Sequence, residues 1–276
     1  MNLAGKSVIF LVFMNSFPFV SLAGQNYFNN PESVVYDSEN QRYLVSNKGD
    51  GKIISVDKQG NQNVFNSDQA SIRGLHIVGD LVYAACNAGL AAFHLNNGKR
   101  AFVVPITDRQ FLNDVTSDAH GNIYVTDSGG SKVYKINPEH ICSTLVPTIP
   151  GPNGIMYDSQ ENRLFVTTGG QTPGISSIRL TDGSLTQIVK TAQNRLDGLT
   201  EDTEGNIYYS SWETGSIYKY SRAFTGYPEL ISSGYNGPAD IGCNLEDNIL
   251  AIPVFNSNTV RFLQLESNSV KPSHIP

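Results

Sequence analysis

Residues 113–136 read NDVTSDAHGNIYVTDSGGSKVYKI. Asn113 heads a short apolar run that ends at Asp118, and the turn Ala119-His120-Gly121-Asn122 follows. Ile123-Tyr124-Val125 is a β-branched and aromatic run of the kind that forms a strand. Asp127 to Ser131 is a second, Gly-rich turn, Lys132 to Ile136 alternates as a third strand, and Cys142 to Val146 supplies a fourth. Such a unit is too short to bury a core by itself, so it must pack against copies of itself.

The copies are present. Equivalent heads stand at Glu32, Arg73, Asn113, Asn153, Asp197 and Ala239, spaced by 40 to 44 residues. Five places after the head, Asp37, Asp118, Asp158, Asp202 and Asn244 recur. Asp and Asn there accept hydrogen bonds from the backbone two residues on and hold the turn between strands, so they are read as structural. The repeat predicts an all-β fold, a six-bladed β-propeller. The last unit supplies only three runs, Ile241 to Cys243, Ile249 to Ile252 and Thr259 to Leu265. Gln25-Asn26-Tyr27-Phe28 precedes Glu32 much as Gln62-Asn63-Val64-Phe65 precedes Arg73, so the mature N-terminal strand is expected to complete the last blade and remove its open edge.

The chain has 276 residues, a net charge of -6, 16% charged residues, 25 Gly and 13 Pro, which suits many short strands and turns. The acidic balance and the lack of a Lys/Arg cluster argue against a nucleic-acid partner. Lys6 is the only charge before Gly24, and Val8 to Phe13 and Phe17 to Leu22 form a broken apolar stretch. With Ser21 and Ala23 as small-x-small residues, this is read as a signal peptide over 1–23, interrupted at Asn15-Ser16 and Pro18 and so a poor membrane span. The expected organisation is a propeller over 24–267 and a polar tail over 268–276, in a secreted or periplasmic protein with no membrane attachment after cleavage. Cys86, Cys142 and Cys243 are too scattered for a metal-ligand pattern.

In a propeller the first strand of each blade lines the central channel, with its head at one mouth. Glu32, Asn113, Asn153 and Asp197 would then gather two carboxylates and two amide oxygens on one axis. Hard oxygen donors of this kind suit Ca²⁺, with Mg²⁺ and Mn²⁺ as alternatives; Zn²⁺ is disfavoured because no His or Cys joins the set. Arg73, heading blade two, either grips a substrate carboxylate or phosphate or pairs with Glu32 or Asp114 to neutralise the channel. Loops between second and third strands, including Asn47 to Gly51, Thr168 to Gly174 and Ser211 to Gly215, open on the same face and are expected to set selectivity. Trp212, the only Trp, lies in one of them, as a substrate contact or as a packing ring of the rim.

Pro31-Glu32-Ser33-Val34-Val35-Tyr36, Asn113-Asp114, Pro152-Asn153-Gly154 and Leu196-Asp197-Gly198 resemble the metal-site motifs of the senescence-marker-protein/gluconolactonase/luciferin-regenerating-enzyme (regucalcin-like) family. The resemblance implies one divalent metal held by Glu32, Asn153 and Asp197, with Asn113 as fourth ligand or substrate contact and Asp197 assisting the nucleophile. In sugar-lactone members an Arg stands two residues before the Asn; here that place is Phe111, with Arg109 on a different spacing. The expectation is a metal-dependent hydrolase of a lactone or similar ester, acting by polarising a carbonyl and lowering the pKa of a water. The rival is a non-catalytic NHL-type propeller whose metal only stiffens the ring and which binds a protein or glycan.

Overall fold

A computed structural model describes residues 25–266. Six small antiparallel sheets follow one another along the chain, five of four strands and a last one of three. Blade one is Pro31–Asp37, Arg42–Asn47, Ile53–Asp57 and Gln62–Asn66. Blade three is Leu112–Ser117, Ile123–Asp127, Lys132–Ile136 and Cys142–Val146, matching the repeat register. Blade five opens with Leu196–Glu201, and the last blade is Gly242–Asn244, Ile249–Val254 and Thr259–Gln264. The fold is a six-bladed β-propeller.

The recurring acids hold their turns as the spacing implies. Asp118 Oδ1 accepts from the N–H groups of His120 and Asn122, and its Oδ2 accepts from Tyr124 Oη at 2.8 Å. Asp202 repeats this with Glu204, Asn206 and Tyr208.

Bonds near the axis join every pair of neighbouring blades. Leu75 N–H donates to Ser33 Oγ, Gly74 N–H to the Asn113 carbonyl, and Thr126 Oγ1 to the Asn153 carbonyl. Gly154 N–H donates to the Asp197 carbonyl, Ser210 Oγ to the Ala239 carbonyl, and Asp240 N–H to the Glu32 carbonyl. The backbones come so close that a Cβ on Gly198 would lie 2.2 Å from the Ile241 nitrogen, which explains the Gly after Asp197. Between blades the core is apolar. Leu44 and Ile53 meet Leu75, Val82 and Phe93, and Val34, Tyr43 and Ile54 meet Ala251, Val260 and Phe262 across the closing seam.

The expected closure strand is not formed within the described residues. Residues 25–28 carry no strand, and their polar groups go to side chains instead of a ladder. Tyr27 N–H donates to Gln62 Oε1, Phe28 N–H to Asn26 Oδ1, and the Tyr27 carbonyl accepts from Asn47 Nδ2. Tyr27 and Phe28 pack instead on the cluster between blade one and the last blade, so side-chain burial covers that seam. The signal peptide and the polar tail expected from the sequence lie outside the described residues. Cys86, Cys142 and Cys243 are free thiols. Among the described residues no helix is long and apolar enough to cross a membrane.

Candidate active site at the channel mouth

Glu32, Asn113 and Asp197 stand in first strands and Asn153 just before one. Glu32, Asn113 and Asp197 are buried, at 6%, 7% and 5% exposure. Asn113, Asn153, Asp197 and Trp212 share one cleft of about 340 Å³, with Ser128, Asn194 and Arg195 along its wall. Glu32 does not line that cleft. It is tied to it through charge: the Asp197 carboxyl is pushed well above the usual range first by burial, then by the Glu32 and Asp240 carboxylates. Glu32 is itself pushed up to about 7 by burial, against the lowering effect of Lys48 and Arg73.

The hydrogen bonds decide which oxygens remain available. Asn153 Nδ2 donates to the Leu196 carbonyl at 3.3 Å, and its buried Oδ1 accepts from nothing among the described residues. Asp197 Oδ2 accepts from Trp212 Nε1 at 2.6 Å, and its buried Oδ1 likewise has no partner. Asn113 Nδ2 donates to Ser128 Oγ at 3.0 Å, which orients its amide. Unpaired buried acceptors are costly unless something outside the chain satisfies them. These acceptor-only oxygens can receive a hard cation or a donor group of a bound molecule. Among the described residues no three His, Cys, Asp or Glu side chains converge as a metal site, so any such site must draw on the amide oxygens.

Arg73 is 4% exposed and pairs with neither Glu32 nor Asp114. It donates to the Leu112 carbonyl at 2.9 Å and to Asn87 Oδ1 at 3.0 Å, and its guanidinium lies 4.0 Å from the centre of the Phe111 ring. Arg109 turns away to the Asn87 and Ile106 carbonyls. Trp212 stands against Phe255, 5.2 Å between ring centres, so it packs the rim and bonds Asp197 at once.

Two elements escaped the sequence reading. One is a carboxyl pair beneath the mouth. Burial, first, pushes the Asp114 carboxyl up to about 7 and the Asp240 carboxyl well above the usual range, each acting on the other. Asp114 also accepts from the N–H groups of Val115 and Ile155, and Asp240 accepts from Ser33 Oγ at 2.5 Å. The pair lies at a cavity of about 280 Å³ lined by Val34, Leu75, His76 and Ile155. The signal existed: Ala239-Asp240 places an acid one residue after the head, as Asn113-Asp114 does. The other is Lys48, in a mouth loop, whose charge reaches both Glu32 and Asp197. No spacing rule singled it out.

Residues 30–227 match the family model described as SMP-30/Gluconolactonase/LRE-like region. The chain is 22% identical over 122 residues to Pentonolactonase XacC of Haloferax volcanii, a stretch covering 40% of this chain and 41% of that relative's length. Among solved structures, a gluconolactonase of Xanthomonas campestris superposes with a TM-score of 0.75 at 14% identity, covering 87% of this chain and 88% of that one. A streptogramin B lyase superposes with a TM-score of 0.64 at 17% identity, covering 93% and 88%. At such identities the two structures establish a shared fold, one that carries both a lactonase and a lyase.

Proposed function

The chain belongs to the SMP-30/gluconolactonase/LRE-like family, and on that premise we propose that it is a hydrolase that opens a lactone or a similar ester with the aid of one divalent cation, Ca²⁺ first. The observation that carries the reading is the pair of buried, unpartnered oxygens, Asn153 Oδ1 and Asp197 Oδ1. Glu32, Asn153 and Asp197 would hold the cation, with Asn113 as a fourth ligand or a substrate contact. Two carboxylates with amide oxygens are a hard donor set that fits Ca²⁺ better than a thiophilic metal. When bound, such an ion polarises a carbonyl oxygen and lowers the pKa of a water.

The protein's own groups would do the rest. Trp212 fixes one oxygen of Asp197 and leaves the other without a partner. Burial and the Glu32 charge raise the proton affinity of Asp197, which suits a group that takes a proton from the attacking water. Ser128 holds the Asn113 amide for a substrate oxygen. We also propose, from the apolar leader over residues 1–23, that the protein is exported, which an intact mass starting at Gly24 would support.

The test is a calcium-dependent melting shift followed by turnover on a panel of lactones and aryl esters. Asp197→Ala should abolish turnover and weaken the cation. Retained turnover in that variant would rule out this mechanism. Cation binding with no turnover on any panel member would favour the rival scaffold, in which the ion only stiffens the ring.

A further inference from the structure

The mouth of this acidic protein is rimmed by aromatic rings that carry cations. Lys48 Nζ lies 5.2 Å from the centre of the Phe255 ring and 5.7 Å from that of Phe111. Arg73 lies over Phe111 at 4.0 Å, and Arg195 over Trp212 at 5.4 Å. Lys52, Lys58, Lys132 and Lys219 each reach a carboxylate within 4 Å. Lys48, like Lys99, Lys135 and Lys190, has no such ion pair among the described residues, but it alone of these four lies over aromatic rings. A ring face holds an ammonium by its quadrupole without cancelling its charge, so the charge remains free for another anion.

The position of Lys48 is fixed. Its N–H donates to the Asn30 carbonyl at 3.0 Å, and the next residue, Gly49, donates to the Asn29 carbonyl. The turn is closed by Gly51 N–H on the Asn47 carbonyl at 2.9 Å. Lys48 is half-buried and stands outside the lining of the cleft, but its charge is felt by Glu32 and Asp197, and Phe255, one of the two rings it rests on, packs against Trp212 of that cleft. With a divalent ion balancing Glu32 and Asp197, Lys48 would be a surplus positive charge beside the reacting position. A net charge of -6 repels anions over most of the surface, and a cationic mouth would focus them onto the site.

We propose that Lys48 is a specificity-determining residue beside this cleft, and that the substrate is a lactone carrying a further anionic oxygen group, a carboxylate or a phosphate ester, that reaches it. The proposal rests on the hydrolase reading and names the substrate class for that same site. Lys48 acts as a compact point charge, while Arg73 is buried at 4% exposure against the Leu112 carbonyl and Asn87.

The experiment compares full-length parent, Lys48→Met and Lys48→Arg on three γ-lactones matched in ring size: neutral, carboxylated and phosphorylated. The expected result is a KM increase for the anionic lactones at least tenfold larger than for the neutral one in Lys48→Met. That is about 1.4 kcal/mol of discrimination. Lys48→Arg should recover most of it, and the better of the two anionic lactones identifies the group. In parallel, titration calorimetry measures tetrahydrofuran-2-carboxylate, which cannot be hydrolysed, against parent and Lys48→Met. Binding to the parent with at least tenfold loss in the variant is expected. Equal losses on neutral and anionic lactones would overturn the proposal and leave Lys48 as a neutraliser of Glu32 and Asp197. No turnover of any lactone would sink the hydrolase reading alone, since the calorimetric arm still decides. A carboxylate probe that fails to bind the parent, or binds Lys48→Met equally well, overturns the anion subsite.

Discussion

Trp212 donates its indole N–H to Asp197 Oδ2 at 2.6 Å, and the other oxygen of Asp197 is buried with no partner. One carboxylate is thus held by half. A hydrogen bond to a charged group contributes roughly 1.5–3 kcal/mol. Trp212→Phe keeps the ring against Phe255 and removes only the donor. Calcium binding, followed by calorimetry, should weaken roughly tenfold to a hundredfold. Unchanged affinity would mean that Trp212 is only rim packing. The chain has one Trp, so its fluorescence in the parent should respond to the ion directly.

The bonds between blades predict a stability effect far from any loop. Thr126 Oγ1 donates to the Asn153 carbonyl at 2.8 Å and accepts from Asp114 N–H at 2.9 Å. Thr126→Val keeps the shape and orphans both backbone groups. The expected loss is about 2 kcal/mol, read as a lower urea midpoint with an unchanged m-value. The same substitution at an exposed strand position, Thr144, should change the midpoint little.

Acid and base should act unequally on the metal-free protein. Glu32 is raised from 4.5 to about 7, chiefly by burial, so the folded state binds its proton more tightly than the unfolded state does. Its contribution to stability is complete below about pH 4.5 and is lost as pH rises through 7. In excess chelator, the melting temperature should fall between about pH 5 and pH 7.5, and Glu32→Gln should flatten that slope. A slope identical in Glu32→Gln and parent would show that another group sets it.

The N-terminal segment should matter without being a strand. Tyr27 and Phe28 pack on the cluster that joins blade one to the last blade. Burying one such ring is worth roughly 1.5–3 kcal/mol, and 1 kcal/mol shifts a domain of this size by roughly 2–4 °C. Deleting residues 24–30 should therefore lower the melting temperature by roughly 5–10 °C. It should also loosen Lys48, whose N–H rests on the Asn30 carbonyl. No change in melting would show that the seam closes without this segment.

Much of this was legible from pattern. The 40- to 44-residue spacing, the Asp-turn frames and the strands of blades three and five follow from period-two alternation and turn chemistry, which are local. The heads Asn113, Asn153 and Asp197 also meet in one cleft, because a repeat places equivalent residues equivalently. The N-terminal strand expected from the sequence does not form over residues 25–28. The likeness of Gln25-Asn26-Tyr27-Phe28 to Gln62-Asn63-Val64-Phe65 is real, but two Asn side chains and Gln62 take the backbone groups that a ladder would need.

The sequence by itself determined the number of blades and the turn acids, since each depends on residues close together or on a fixed repeat. Only the tertiary structure decided that Asn153 Oδ1 and Asp197 Oδ1 are left without a partner, that Arg73 stacks on Phe111 instead of pairing with an acid, and that Asp114 and Asp240 meet at one cavity. It also set Lys48 between two rings from different blades. Those outcomes turn on side-chain direction and on charges brought together across blade boundaries, and no spacing along one chain encodes a distance between side chains that closing the ring creates.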